Sequence, residues 1–167
     1  MTDYKEELSM NNITIRPMTI EDYDNVFALW NSIRGFAIRS IDDSKEGVEI
    51  FLKRNPGISC VAEKEGKIVG AILCGHDGRR GCLYHVCVSS DCRRQGIGKA
   101  MVVFCIEALH KEHINKVCLI AFTQNDIGNA FWRSCLWTER EDLNYYDFTI
   151  NTKNIIEYVQ EEHNVYN

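Results

Sequence analysis

The sequence predicts a mixed α/β fold, and three observations carry that prediction. Residues 58–63 and 67–74 are apolar runs joined by Lys64-Glu65-Gly66, a hairpin signal. Another apolar run, residues 83–88, leads through Arg93-Arg94-Gln95-Gly96-Ile97-Gly98-Lys99-Ala100 into a helical pattern. There Ile97, Ala100, Met101, Phe104, Cys105, Ala108 and Leu109 recur at spacings of three and four, which places them on one helix face. Residues 117–122 form a further apolar strand after that helix, so a right-handed strand–helix–strand crossover follows an antiparallel meander.

The remaining elements follow in chain order. Residues 1–11 read as a loose leader to a single domain spanning 1–167. Ile13-Thr14-Ile15-Arg16 alternates as a strand does and stops at Pro17. Thr19 caps the next helix, with Asp22 three residues on, and Tyr23, Val26, Phe27, Leu29 and Trp30 form its buried stripe. Residues 31–43 read as irregular. Ser44 caps a second helix to about Arg54, burying Val48, Phe51 and Leu52, and Asn55-Pro56-Gly57 ends it. Residues 75–81 are a turn-rich connection. Asn125-Asp126 opens a helix to about Ser134. Residues 136–140 and 144–150 read as two final strands, and a last helix is expected over 153–161, within a C-terminal extension at 151–167. The order is β-α-α-β-β-β-α-β-α-β-β.

Composition narrows the function. The chain is 45% apolar and 26% charged, as ordinary globular proteins are. A net charge of −5 argues against a nucleic-acid coat. No apolar run approaches the ~20 residues of a membrane span, and the polar, acidic start is unlike a secretory signal. None of the eight cysteines forms a Cys-x-x-Cys pair, so no metal site is expected. Most lie in apolar runs, where a free thiol behaves as a small hydrophobe. A reducing, cytoplasmic location is the expectation, and a nucleophilic thiol, were there one, would be Cys87 or Cys92 beside the basic turn.

That turn has the parts of a phosphate site. Two glycines let the backbone approach a ligand. The following helix offers unpaired N–H groups and the positive end of its dipole, and Arg93, Arg94 and Lys99 surround the same point. A P-loop would need Gly at position 93 and Ser or Thr at position 100; Arg93 and Ala100 stand there. A dinucleotide fingerprint would need a small residue where Met101 stands, and an early βαβ unit, so a dinucleotide oxidoreductase is disfavoured.

Arg93-x-x-Gly96-x-Gly98 instead resembles the acetyl-CoA pyrophosphate loop of the GNAT superfamily of N-acetyltransferases. The similarity extends over about residues 12–150. Residues 13–17 with Asp22 resemble the family's first strand and helix, and Gly66-Lys67-Ile68-Val69-Gly70 resembles its second hairpin. Asn125 followed by Ala130-Phe131-Trp132 resembles its late helix. The segment 75–81 with Tyr84-His85 looks like a bacterial branch, acting on small molecules or proteins. The resemblance implies the acyl-CoA N-acyltransferase fold: a central, mostly antiparallel, twisted sheet of six or seven strands, flanking helices and one splayed strand pair. It implies acetyl-CoA as co-substrate, no metal, and direct transfer of acetyl to a primary amine. The acceptor would be a small molecule or a peptide or protein amine, with no role for nucleic acid or membrane; a homodimer is compatible with this reading.

Carried over by position, residues 93–100 would hold the pyrophosphate. Val86 and Val88 would pair with the pantetheine arm, and Asn125 would contact the arm or the cofactor end. The chain departs from the family at Trp132, which replaces the usual proton-donating Tyr, and at Leu136-Trp137, which replace Gly-Phe. Indole N–H is a donor but not a usable acid, so Trp132 is expected to pack on the cofactor arm. A non-catalytic acyl-CoA-binding module is the alternative this substitution raises. His85, beside the acetyl site, is the expected base, since imidazole exchanges protons near neutral pH. Tyr84, expected on the opposite strand face, comes next, then Tyr145 and Tyr146 of the last strand pair. Glu139-Arg140-Glu141-Asp142 is an acidic run expected at the pocket rim, suited to a small cationic amine.

Overall fold

The computed structural model describes residues 8–10, 12–34 and 36–159. A six-stranded sheet carries the fold. In chain order its strands are β1 (Leu8–Met10), β2 (Ile13–Pro17), β4 (Cys60–Lys64), β5 (Lys67–His76), β6 (Gly81–Val88) and β7 (Val117–Leu119), which is also their spatial order. Every neighbouring pair is antiparallel except β6 and β7, which the crossover makes parallel. A second, two-stranded sheet joins β3 (Ala37–Arg39) to β8 (Ile156–Tyr158). The mixed, mostly antiparallel architecture is the expected one.

β5 is the central strand. Its residues from Val69 to Gly75 are buried without alternation, because both sheet faces are covered. One face packs on helix α3 (Ile97–Lys111), whose Ile97, Met101, Phe104, Cys105, Ala108 and Leu109 meet Ile15, Cys60, Ile72, Cys74 and Leu83. The other meets α1 (Tyr23–Asn31) and α2 (Lys45–Arg54), where Val26, Leu29, Trp30 and Val48 pack on Val61, Ala71, Leu73 and Cys87. Each fully buried aliphatic side chain contributes roughly 1.5–3 kcal/mol. In the α3 layer the thiols of Cys60 and Cys105 lie 3.7 Å apart, and Cys60, Cys74 and Cys105 are wholly buried.

Local signals explain the helix starts. Thr19 N–H donates to Asp22 Oδ2 at 2.9 Å, opening a single 3-10 turn (Ile20–Asp22) that runs into α1. Ser44 Oγ accepts Gly47 N–H at 3.1 Å and caps α2. Arg16 reaches from β2 to grip Asp22 through two nitrogens, at 2.8 and 2.7 Å, and also meets Glu63 at 3.1 Å. Burial alone would raise the Asp22 carboxyl; the hydrogen bonds from Arg16 and Thr19 outweigh it and hold the group below the usual carboxylate range.

Four expectations need correction. Residues 8–10, read as part of a loose leader, form β1 along β2; residues 1–7 and 11 lie outside the described ones. Residues 37–39 are a strand rather than irregular chain. Residues 156–158 are its partner rather than helix, because pairing with β3 satisfies their backbone; residues 160–161 are not described. Residues 136–140 and 144–150 form no strand. Their aromatic and β-branched side chains favour extended chain, but no partner strand among the described residues accepts them, and Leu143, Tyr145, Tyr146, Phe148 and Ile150 stand 61–94% exposed.

Candidate active site

The centre of the site is an extra residue in β6. Ala71 faces Cys87 and Leu73 faces Tyr84, so two steps along β5 match three along β6. This is a β-bulge. His85 absorbs it with φ of +50°, a left-handed conformation rare for a residue with a Cβ. The bulge cancels one alternation. Tyr84, expected on the opposite face from His85, therefore shares its face: Tyr84 packs edge-on against Phe51 of α2, and His85 lies 4.7 Å from the Trp30 ring and 4.9 Å from the Phe36 ring.

His85 is held by a carboxylate that sequence reading did not single out. Its Nε2 lies 2.6 Å from Asp43 Oδ1, while Asp43 Oδ2 accepts Arg39 N–H at 2.6 Å. The Asp43 carbonyl accepts the Tyr23 hydroxyl at 2.8 Å. Asp43 is buried and the His85 side chain is only 14% exposed. No local pattern announces this pair, since 42 residues separate its members. Tyr84 is half exposed. Burial, then its neighbour Cys82, raises its hydroxyl well above the usual phenol range, with Tyr145 adding slightly, so it is a hydrogen-bond donor at working pH.

The basic turn stands at the far end of β6. Arg94 and Gly96 both take left-handed conformations, φ +59° and +81°, and Gly96 is the N-cap of α3. The first-turn N–H groups of Ile97, Gly98 and Lys99 have no helical carbonyl to bond. Arg93, Arg94, Gln95 and Lys99 are exposed around them. Arg93 Nε donates to the Val88 carbonyl at 3.2 Å, tying turn to strand. Between turn and His85 the sheet opens: β6 pairs with β7 only at Gly81, Cys82 and Leu83, and residues 84–88 have no partner on that side among the described residues. Val86 and Val88 lie in this stretch. Exposed amides beside an open strand edge fit an extended, pyrophosphate-bearing molecule.

Helix α4 (Asp126–Ser134) meets the basic turn through Phe131. Asn125 is its N-cap, with Oδ1 accepting Gly128 N–H at 3.0 Å. Phe131 packs on Gly98 and Ala100 lies against the core. Trp132 lies between Phe131, edge-on, and Trp137, tilted, with ring centres 4.9 and 4.8 Å away. Tyr145 and Tyr146 lie in the exposed stretch, 68% and 86% open, and Tyr145 comes near enough to Tyr84 to raise its hydroxyl slightly. The acidic run is largely neutralised by its own ion pairs, Arg133 with Glu139 at 2.8 Å and Arg140 with Asp142 at 2.7 Å. Cys87 is no nucleophile: burial pushes its thiol up to about 12, and it bonds the Ala71 carbonyl. Among the described residues no helix is long and apolar enough to cross a membrane.

Comparison with known proteins identifies the family. Residues 23–136 match the acetyltransferase (GNAT) family model. An acetyltransferase of Sodalis glossinidius is 35% identical over 104 residues, covering 62% of this chain and 69% of that one. Among solved structures, an aminoglycoside acetyltransferase from an uncultured soil metagenomic sample, in complex with sisomicin, superimposes with a TM-score of 0.65 at 21% identity, over 84% of this chain and 98% of that one. The PaiA N-acetyltransferase of Thermoplasma acidophilum, in complex with coenzyme A, does so with a TM-score of 0.64 at 17% identity, over 74% and 87%. The chain belongs to the GNAT family of acetyltransferases.

Proposed function

We propose that the protein transfers acetyl from acetyl-CoA directly to a primary amine, working as one domain with His85 as the base. The observation that carries this reading is the open edge of β6 between the unpaired helix-start amides at residues 97–99 and the bulge at His85. Residues 93–100 hold the pyrophosphate, and residues 86–88 pair with the pantetheine arm as an added strand. Asn125 and Trp132 flank it from α4. The thioester carbonyl meets main-chain N–H groups of β6, which stabilise charge as it develops on oxygen.

The chemistry then needs one proton acceptor. The amine nitrogen attacks the carbonyl carbon, a C–N bond forms as the C–S bond breaks, and CoA leaves as thiolate. The amine proton passes to His85. Thiols are far more acidic than alcohols, so the thiolate departs without the family's tyrosine, and Trp132 serves packing alone. Tyr84, beside His85, is placed to donate a hydrogen bond to the acceptor, and Tyr145 is the position to test after it.

CoA release from acetyl-CoA, followed across a panel of small cationic, neutral and peptide amines, tests the reading. Turnover with at least one amine, lowered about 10²-fold or more in kcat/KM by His85→Ala, is the expected result. A His85→Ala enzyme with the wild-type rate and pH profile removes His85 from the mechanism.

A further inference from the structure

We propose that Asp43 is the positioning residue of the site: it fixes His85 as the tautomer that carries its hydrogen on Nε2, leaving Nδ1 as the basic nitrogen. The proposal rests on the reading of His85 as base. Asp43 Oδ2 is committed to Arg39 N–H at 2.6 Å, and Oδ1 faces His85 Nε2 at 2.6 Å. A carboxylate only accepts hydrogen bonds, so Nε2 must donate. Among the described residues no hydrogen bond engages Nδ1, whose lone pair is free to take the amine proton. The proton moves from the amine nitrogen to Nδ1, and the imidazolium so formed sits against the Asp43 carboxylate, which balances its charge.

The surroundings suit positioning more than plain packing. Trp30 and Phe36, stacked on one another, both pack against the ring and limit its rotation, while the bulge fixes where the ring begins. Asp43 itself is held from two directions, by Arg39 N–H on its side chain and by the Tyr23 hydroxyl on its carbonyl. Ser44, the next residue, caps α2 and anchors the turn. A residue held this firmly transmits its geometry to whatever it touches.

Asp43→Asn makes the test sharp. An amide has one acceptor oxygen and one donor nitrogen. Arg39 N–H still needs an acceptor, so the Asn oxygen turns to it and the NH2 group faces His85 Nε2. Nε2 must then accept, and the ring hydrogen moves to Nδ1, where it blocks the base. Nitrogen-15 NMR of the imidazole, on protein without any ligand, reads the tautomer directly. The expected result is the Nε2–H form in the wild type and the Nδ1–H form in Asp43→Asn. With it, kcat for the best amine of the panel falls about 10²-fold or more, while CoA affinity by calorimetry and the melting profile stay close to wild type.

Other outcomes overturn the proposal. A wild-type ring in the Nδ1–H form does so without any variant, even if Asp43→Asn fails to fold. An unchanged tautomer in Asp43→Asn does the same whatever happens to the rate, since a lowered kcat would then be structural. A switched tautomer with an unchanged kcat overturns it too, and also removes His85 as the base. If His85→Ala is fully active but the tautomer switches as expected, the function reading fails while the structural link between Asp43 and His85 stands.

Discussion

Gly98 lies directly beneath the ring of Phe131: a Cβ at Gly98 would stand 3.3 Å from two ring carbons and 3.6 Å from Val88. The basic turn and α4 therefore touch here. Gly98→Val fills the space beneath Phe131 as well as the ligand approach. It is expected to lower stability by about 1–3 kcal/mol through overpacking and to weaken CoA binding. Adding Phe131→Ala should recover part of the melting temperature but not the affinity. Calorimetry showing unchanged CoA affinity in Gly98→Val would exclude the phosphates from this turn.

Arg94 offers a cleaner probe of charge. It holds φ of +59°, where glycine is at ease and a Cβ costs about 1 kcal/mol. Arg94→Gly removes the guanidinium while keeping the turn. Stability should hold or rise slightly, CoA affinity should fall, and the fall of affinity with added salt should become shallower. Titrations at two ionic strengths decide it; an identical salt slope would mean that Arg94 does not meet the phosphates.

The Arg16–Asp22 pair predicts a pH dependence. Asp22 is held below the usual carboxylate range in the folded chain. A carboxyl depressed by folding stabilises above its unfolded pKa, about 3.9, and loses that contribution as pH falls through the folded value. Arg16→Met should therefore cost about 1–3 kcal/mol at neutral pH, and the gap to wild type should narrow below about pH 4. Denaturant melts at pH 7 and pH 3 measure both arms. A gap of constant size would show that Arg16 stabilises by packing alone.

Trp132 packs between Phe131, edge-on, and Trp137, tilted. Trp132→Phe preserves an aromatic face and should keep most of kcat, with any loss seen as a lower melting temperature or weaker CoA binding. A collapse of kcat with affinity and stability intact would make the indole N–H part of the chemistry.

Local signals were legible in the sequence where physics is local. The Ser44 cap, the hairpin through Lys64-Glu65-Gly66 and the strand–turn–helix around Gly96 each depend on residues within a few positions of one another. The bulge at His85 was not legible, because an alternating pattern carries no mark for one inserted residue, and that single residue moved the His85 ring to the face of Tyr84. Asp43 was hidden because its partner is remote in the chain. The β3–β8 pairing, which brings Ala37 to Tyr158, was hidden for the same reason.

The thiols buried under α3 make the fold readable by a stopwatch. Cys60, Cys74 and Cys105 are sealed in the α3 layer, whereas Cys118 is exposed. A small alkylating reagent meets Cys118 at once but reaches the sealed three only when the helix lifts from the sheet. Their modification rate under native conditions then reports how often this layer opens, and added CoA should slow it if, as proposed, it binds the first turn of the same helix.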